Sequence, residues 1–230
     1  MKEMFTQSVF FGAALSLICY EIGRFIKIKT KSSLANPLLV AVLLVAAVLL
    51  LFHIDFEDYN RGAEHISFFL TPATISLAVP LYRQLELLKK YPKAIIAGVG
   101  AGVMTAMVSI FVLSVAFGLS HEQYVTLLPK SITTAIGMGI SEKMGGIVTI
   151  TAVSICITGI LGSIIADTIC RILKIKEPIA IGLAIGTSAH AVGTAKALEL
   201  GDVEGAMSSL SIVIAGIMTV FGVSVFSNFI

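Results

Sequence analysis

Continuous apolar runs, separated by short polar stretches, make up most of the chain. Each is about 20 residues long, the length that a helix needs to cross a hydrocarbon core about 30 Å thick. Strands of a membrane barrel would instead alternate apolar and polar residues over about ten positions. The pattern predicts an all-α, polytopic helical bundle in a single domain, with about seven spanning helices. The runs lie near residues 8–26, 37–54, 66–82, 94–117, 147–173, 179–198 and 206–226.

The composition supports this class of protein. Apolar residues make up 57% of the chain and charged residues 13%, whereas about a quarter of a typical soluble domain is charged. The mean hydropathy is +0.98. A net charge of +2 gives no indication of nucleic-acid binding. Cys19, Cys156 and Cys170 lie within apolar runs without the spacing of a metal site, so we expect reduced thiols.

Basic residues concentrate in three junctions between apolar runs, and this bias predicts orientation. The junctions hold 11 of the 16 Lys and Arg residues, as four, four and three. Because basic loops stay in the cytoplasm, we predict that all three junctions are cytoplasmic and that the acidic connections 55–64 and 199–204 lie outside. The N-terminus is then outside and the C-terminus cytoplasmic. The three groups are Arg24, Lys27, Lys29 and Lys31; Arg83, Lys89, Lys90 and Lys93; and Arg171, Lys174 and Lys176.

The stretch from Tyr124 to Gly146 is apolar but interrupted by proline, lysine, hydroxyls and glycines. Pro129 lacks a backbone donor and favours the first turn of a helix, so the sequence predicts one helix ending near Leu127 and a half-helix beginning at Pro129. The free N–H groups at a helix N-terminus attract anions, and Lys130 adds a positive charge. The predicted site for a small anion comprises Pro129, Lys130, Ser131, Thr133 and Thr134.

The basic junctions predict how this stretch meets the bilayer. If residues 121–146 crossed, the second and third junctions would lie on opposite sides. If the stretch enters and returns, both junctions are cytoplasmic, in agreement with the positive-inside bias. We therefore predict a re-entrant element, whose exposed backbone must be covered by protein or by a water-filled cavity.

Two other apolar runs are also broken by polar residues, proline or glycine. One contains Pro72, Thr74 and Pro80, and the other extends from Thr187 to Lys196. Equivalent Ala positions in the three broken segments lie 57 and 56 residues apart, at Ala78, Ala135 and Ala191. Discontinuous helices in such repeats build the substrate sites of secondary transporters. The further candidates for binding substrate are Thr74, Thr187, Ser188, His190, Thr194 and Lys196.

Each polar candidate also has a structural interpretation. A lysine at membrane depth costs about 2.5 to 3.5 kcal/mol unless it is paired or hydrated, so Lys130 either serves a site or extends to the interface. The hydroxyls either contact substrate or donate to carbonyls of their own helix. His190 is either a neutral buried residue or a ligand that carries a proton. We find no metal, nucleophile or phosphate-loop motif, and predict neither a cofactor, a metal nor enzymatic activity.

Two motifs resemble the LrgB/CidB family, and the resemblance covers nearly the whole chain. They are Leu128-Pro-Lys-Ser-Ile-Thr-Thr134 and Ile185-Gly-Thr-Ser-Ala-His-Ala-Val-Gly-Thr-Ala-Lys-Ala-Leu-Glu-Leu-Gly201. The resemblance implies a multi-pass protein of the bacterial cell membrane that acts with an LrgA/CidA-type membrane protein and forms homo-oligomers. It also implies one of two roles. Some members are described as antiholin-like or holin-like modulators of murein hydrolases and autolysis; others resemble carriers of small monocarboxylates, such as the chloroplast glycolate/glycerate translocator.

The polar residues within the broken helices favour the carrier. A scaffold that only oligomerises gains nothing from breaking helices around a buried lysine. Our hypothesis is transport of a carboxylate such as pyruvate, glycolate or glycerate. The half-helix at Pro129 binds the carboxylate, residues 187–196 form the opposing wall, and His190 carries a coupled proton. The alternative is an antiholin-like or holin-like protein that controls export of murein hydrolases.

Overall fold

The computed structural model describes residues 8–30, 35–76, 78–83 and 85–230, with only the backbone for some residues between 70 and 88. These residues form helices and no strand, which confirms the all-α class. They divide into two compact units, one ending at Ser76 and one extending from Ala78 to Ile230. The helices are α1 (Phe11–Thr30), α2 (Pro37–Leu51), α3 (Phe56–Ser67), α4 (Leu70–Ser76), α5 (Ala78–Arg83), α6 (Leu85–Lys90), α7 (Pro92–Phe117), α8 (His121–Leu127), α9 (Thr134–Lys143), α10 (Val148–Ile172), α11 (Pro178–Leu200) and α12 (Asp202–Phe226).

In the N-terminal unit, α1 packs against α2 and α3. The α1–α3 contact is close because both helices carry glycine there: a Cβ added at Gly62 would lie 3.1 Å from Gly12 Cα. Ser16 Oγ and Tyr59 OH form a hydrogen bond of 2.8 Å across the same interface. The Asn36 side chain accepts from the first amides of α2 and so fixes the start of that helix.

The core of the C-terminal unit lies between α7, α11 and α12. Gly98 and Gly102 of α7 face α11. A Cβ added at Gly98 would lie 3.5 Å from Leu183 Cδ1, and a Cβ added at Gly102 would lie 2.7 Å from Thr187 Cγ2. Small residues at this spacing let two helices approach closely. The glycine pair of α7 therefore packs within the chain. Other members of the buried cluster include Val99, Met107, Tyr124, Met207 and Val223.

α11 is broken at His190, which confirms the prediction of a discontinuous helix there. His190 has φ 42° and ψ −137°. Gly193 packs on Ile185, because a Cβ added at Gly193 would lie 3.0 Å from the Ile185 carbonyl oxygen. In a straight helix, two residues eight positions apart would be separated by about 12 Å along the axis. Ile185 and Ala197 belong to one buried cluster with Ala166 of α10. The two parts, α11a (residues 178–189) and α11b (residues 191–200), thus fold back on each other.

The chain also reverses between α8 and α9, over residues 128–133. Pro129 O lies 3.3 Å from a Cβ added at Gly137, and Thr126 Oγ1 accepts from Ile147 N at 2.8 Å. α8 ends at Leu127, as predicted. The second half-helix begins at Thr134, however, so its predicted start at Pro129 is wrong. Turn hydrogen bonds from Lys130 N to Leu127 O and from Ile132 N to Pro129 O occupy the intervening residues.

A buried group of hydroxyls holds this reversal against the start of α10. Thr151 Oγ1 lies 2.7 Å from Ser141 Oγ and 2.9 Å from the Thr126 carbonyl oxygen. Thr126, Ser141 and Thr151 are all at most 1% exposed. Because a buried hydroxyl has no water to bond with, these contacts fix α8 and α9 relative to α10.

Replacing Thr151 by valine is expected to destabilise the protein by about 1–3 kcal/mol. The substitution keeps the side-chain shape but leaves the Thr126 carbonyl and Ser141 hydroxyl buried without this partner. Thermal unfolding in detergent measures the effect. Thr149→Val is the matched control, since Thr149 lies on the same helix but is exposed. Equal melting temperatures for the two variants would contradict this role of Thr151.

The prediction of about seven spanning helices is not confirmed. Within the described residues, four helices are long and apolar enough to cross a membrane: α7, α10, α11 and α12. α11 meets this criterion by length and composition, yet it doubles back at His190. α2 is apolar but only 15 residues long. The predicted run at 66–82 falls on the end of α3 and on the short helices α4 and α5.

The folding back of α11 also determines at which end of the C-terminal unit the C-terminus lies. Tyr91 and Glu177 line one cavity, so the second and third basic junctions lie at the same end of the C-terminal unit. At the opposite end, the Tyr124 hydroxyl donates to the Phe226 carbonyl and His121 Nδ1 bonds to the Ile230 carbonyl. The C-terminus thus lies at the end of this unit opposite the second and third basic junctions, and the membrane side of each end stays a prediction. The same folding brings Glu204 beside Gly182, so the acidic connection 199–204 lies at the basic end.

Candidate functional site

The two reversals of the C-terminal unit are called here the first break (residues 128–133) and the second break (His190). Ile155 of α10 is fully buried, and it contacts His190 and also Gly137, which lies in the first turn of α9 after the first break. Its carbonyl accepts a hydrogen bond of 3.0 Å from His190 Nε2. Its side chain lies against Gly137, in the first turn of α9, where a Cβ would overlap the Ile155 Cδ1 methyl. A single residue of α10 thus contacts the second break and the first turn of the helix that follows the first break.

At the first break, the predicted residues surround the N-terminus of α9. Pro129 is buried, Lys130, Ser131 and Thr133 are partly buried, and Thr134 is exposed. Thr133 is the N-cap residue but makes no side-chain capping bond, so the first amides of α9 have no partner from that side chain. Lys130 lies beside this turn, because the carbonyl of the preceding Pro129 packs on Gly137.

The first break carries positive charge without a neighbouring acid. The Lys130 ammonium donates to Ser131 Oγ at 3.4 Å and forms no ion pair within the described residues. Lys130 lies outside the four helices that are long enough to cross, and its side chain is partly buried. The α9 N-terminus adds partial positive charge. A bound anion would offset both the charge of Lys130 and the partial positive charge of the α9 N-terminus.

At the second break, polar groups line the end of α11a. The neutral His190 carries a proton on Nε2, because the Ile155 carbonyl can only accept. The ring sits against Gly159, where an added Cβ would lie 2.7 Å from His190 Cε1. Thr194 Oγ1 donates to the His190 carbonyl at 3.0 Å and lies 2.7 Å from Ser208 Oγ. Thr187 Oγ1 is buried without a hydrogen-bond partner in the described part of the chain.

Two predicted residues of the C-terminal unit, Lys196 and Ser188, are engaged elsewhere, and a third, Thr74, belongs to the other unit. The Lys196 ammonium lies 3.2 Å from Asp167 Oδ2 and 3.4 Å from Glu199 Oε2, so two carboxylates already engage it. Ser188 is exposed and donates to the Ala184 carbonyl of its own helix. Thr74 belongs to α4 in the N-terminal unit, and its side chain lies outside the described residues.

The sequence analysis missed the residues that position the two breaks. Ile155 and Gly159 lie in an ordinary apolar run, and nothing in the pattern separates them from lipid-facing residues. Thr126, Ser141 and Thr151 have a weak signal, since buried hydroxyls need partners and their spacings of 15 and 10 residues fit no single helix turn. Asp167 was detectable as an acid within an apolar run, because such a charge requires a partner.

The arrangement is suited to binding an anion. It offers amides at a helix N-terminus, hydroxyls and a lysine without an ion pair in the described part of the chain, groups of the kind that bind carboxylates. In the described part of the chain, His, Cys, Asp and Glu side chains form no group of three that could hold a metal ion. A cavity of about 520 Å³ lies elsewhere, between the beginnings of α7 and α11, and none of the predicted site residues lines it.

These features define an all-helical membrane protein in which two broken elements face each other across one helix. The LrgB-like family matches residues 16–229. Similar proteins include the antiholin-like protein LrgB of Bacillus cereus strains B4264 and AH187 and of Bacillus anthracis strain CDC 684. Each is 38% identical over 226 residues, which cover 98% of this chain and 98% of the relative. The chain therefore belongs to the LrgB-like family. No solved structure matches it.

Proposed function

We propose that this protein carries a small organic monoanion, such as pyruvate, glycolate or glycerate, across the bacterial cell membrane. The observation that supports this most is that His190 and the first turn of α9 both pack on Ile155, while Lys130, in the turn before α9, forms no ion pair within the described residues. The carboxylate binds Lys130, Ser131 and the first amides of α9. Thr187, His190 and Thr194 form the opposing wall, and His190 Nδ1 accepts a coupled proton.

In this proposal both reversals are re-entrant and meet near the bilayer midplane. The breaks lie beside residues 155–162, near the centre of the 25-residue α10. Irregular backbone at this depth is tolerated where protein covers it, and broken helices at such a point form the substrate sites of many carriers. Because the second and third basic junctions share one end, we place that end in the cytoplasm and the C-terminus outside. The N-terminus outside stays a prediction.

The second candidate is an antiholin-like role in controlling murein hydrolases, and the observation that favours it is that the similar Bacillus proteins are named antiholin-like proteins. An LrgA/CidA-type membrane protein is the proposed partner in either role. A protein that forms or restrains a large lesion acts on solutes without regard to their chemistry. A carrier saturates and discriminates, so the two roles differ in a measurable property.

Uptake into proteoliposomes distinguishes the two functions. Vesicles containing the purified chain, with and without its LrgA/CidA-type partner, receive labelled pyruvate, glycolate or glycerate while release of a larger trapped dye is recorded. We expect saturable uptake that an excess of unlabelled monocarboxylate inhibits, without dye release. Protein-free vesicles provide the background. Dye release without saturable uptake would overturn the carrier and support the lesion.

A further inference from the structure

An apolar cavity opens at the basic end of the C-terminal unit, away from the two breaks. Its volume is about 520 Å³, within the range of about 300–1,000 Å³ that is typical of small-molecule sites. Small side chains leave this space between α7 and α11a. The lining includes Ala94 and Gly98 from α7 and Ile179, Ala180 and Ala184 from α11a.

Positive charge gathers at one end of this cavity. The Lys90 ammonium lies 5.3 Å from the ring centroid of Tyr91, which lines the cavity. Lys93 precedes the lining residue Ala94, and Lys176 precedes the lining residue Glu177. Glu177 is the acid among the lining residues. The second and third basic junctions bring seven Lys and Arg residues to this end of the unit, and the acids there are Glu86, Glu177 and the three of the 199–204 connection, so basic residues are in excess. The cavity therefore combines an apolar interior with a cationic mouth.

We propose that this cavity binds an anionic phospholipid, with an acyl chain between α7 and α11a and the headgroup phosphate on Lys90, Lys93 and Lys176. Basic pockets between membrane helices are suited to acidic headgroups, and each lysine near the surface contributes about a fivefold change in affinity. The site is distinct from the carboxylate site and does not rest on the proposed carrier function.

Lipid binding to the full chain in an uncharged detergent tests the proposal. Dioleoylphosphatidylglycerol, dioleoylphosphatidylcholine and free glycerol phosphate are titrated, and native mass spectrometry counts the bound molecules. We expect one phosphatidylglycerol to bind more tightly than phosphatidylcholine, and glycerol phosphate to bind weakly. Lys93→Gln and Lys176→Gln should each weaken phosphatidylglycerol about fivefold. Lys143→Gln, at the opposite end of the unit, should leave binding unchanged.

A cavity-filling variant tests the chain site separately from the headgroup site. Ala180→Leu places a larger side chain in the cavity and should reduce phosphatidylglycerol binding at least tenfold, with an unchanged melting temperature in lipid-free detergent. Equal binding of the two lipids, or equal effects of Lys93→Gln and Lys143→Gln, would overturn the proposal. So would undiminished binding to Ala180→Leu, since the headgroup would then sit on a flat surface. A lipid-independent dimer that Ala180→Leu disrupts would assign the cavity to a second copy.

Discussion

Lys130→Met is expected to abolish detectable uptake of monocarboxylate, or to raise the KM by about 10- to 100-fold, while leaving the fold intact. The range follows from the value of a hydrogen bond to a charged group, about 1.5–3 kcal/mol. The fold should persist because the ammonium makes one weak hydrogen bond, 3.4 Å to Ser131 Oγ, and no ion pair in the described part of the chain. Removal of an unpaired, partly buried charge should leave the melting temperature equal or slightly higher.

The combination of lost uptake and retained stability separates a binding lysine from a structural one. Lys143→Met is the matched control, since Lys143 is exposed in the last turn of α9, the helix that follows the first break, and the variant should transport normally. Lys130→Arg keeps the charge and should retain part of the activity. Wild-type KM in Lys130→Met would remove Lys130 from the site. A large fall in melting temperature would instead assign it a role in folding.

The breaks themselves were predictable from the sequence. Pro129 ends α8 at Leu127 because proline cannot continue the backbone hydrogen bonding, and the run of Gly, Ser, Thr and His residues from Thr187 to Thr194 breaks α11. Small and polar residues are costly within a lipid-facing helix, so their clustering indicates a place covered by protein. The spacing of 56 residues between Ala135 and Ala191 likewise relates two segments, each of which precedes a long helix, α10 or α12.

The direction of the chain after each break was less predictable. Residues 179–198 are long and apolar enough to span, and the sequence analysis counted them as one crossing. The return of α11b depends on contacts between distant residues, among them Gly193 with Ile185 and Lys196 with Asp167. Such contacts leave no periodic signal. The start of α9 was equally hard to predict, because residues 128–133 form turn hydrogen bonds instead of a helix beginning at Pro129.

The ion pair between Lys196 and Asp167 is expected to hold α11b against α10, and Lys196→Met should destabilise the protein by about 1–3 kcal/mol. Breaking a fully buried pair costs about 3–5 kcal/mol and an exposed pair about 0–1 kcal/mol. The two side chains are 23% and 24% exposed, so an intermediate cost applies. Asp167→Asn should cost less, because Lys196 keeps Glu199 at 3.4 Å. Thermal unfolding of the single variants measures this asymmetry.

The double variant decides whether the cost comes from the unpaired carboxylate of Asp167. In Lys196→Met the aspartate remains, partly buried between apolar helices, without its ammonium partner; adding Asp167→Asn removes that charge. The double variant should therefore be more stable than Lys196→Met alone, a positive coupling of about 1 kcal/mol or more. Glu21→Gln with Arg24→Met is the control pair, since these side chains are 59% and 58% exposed and should show little coupling. A double variant as unstable as the sum of its single variants would mean that α11b is held by apolar packing of Ile185, Ala197 and Ala166 alone.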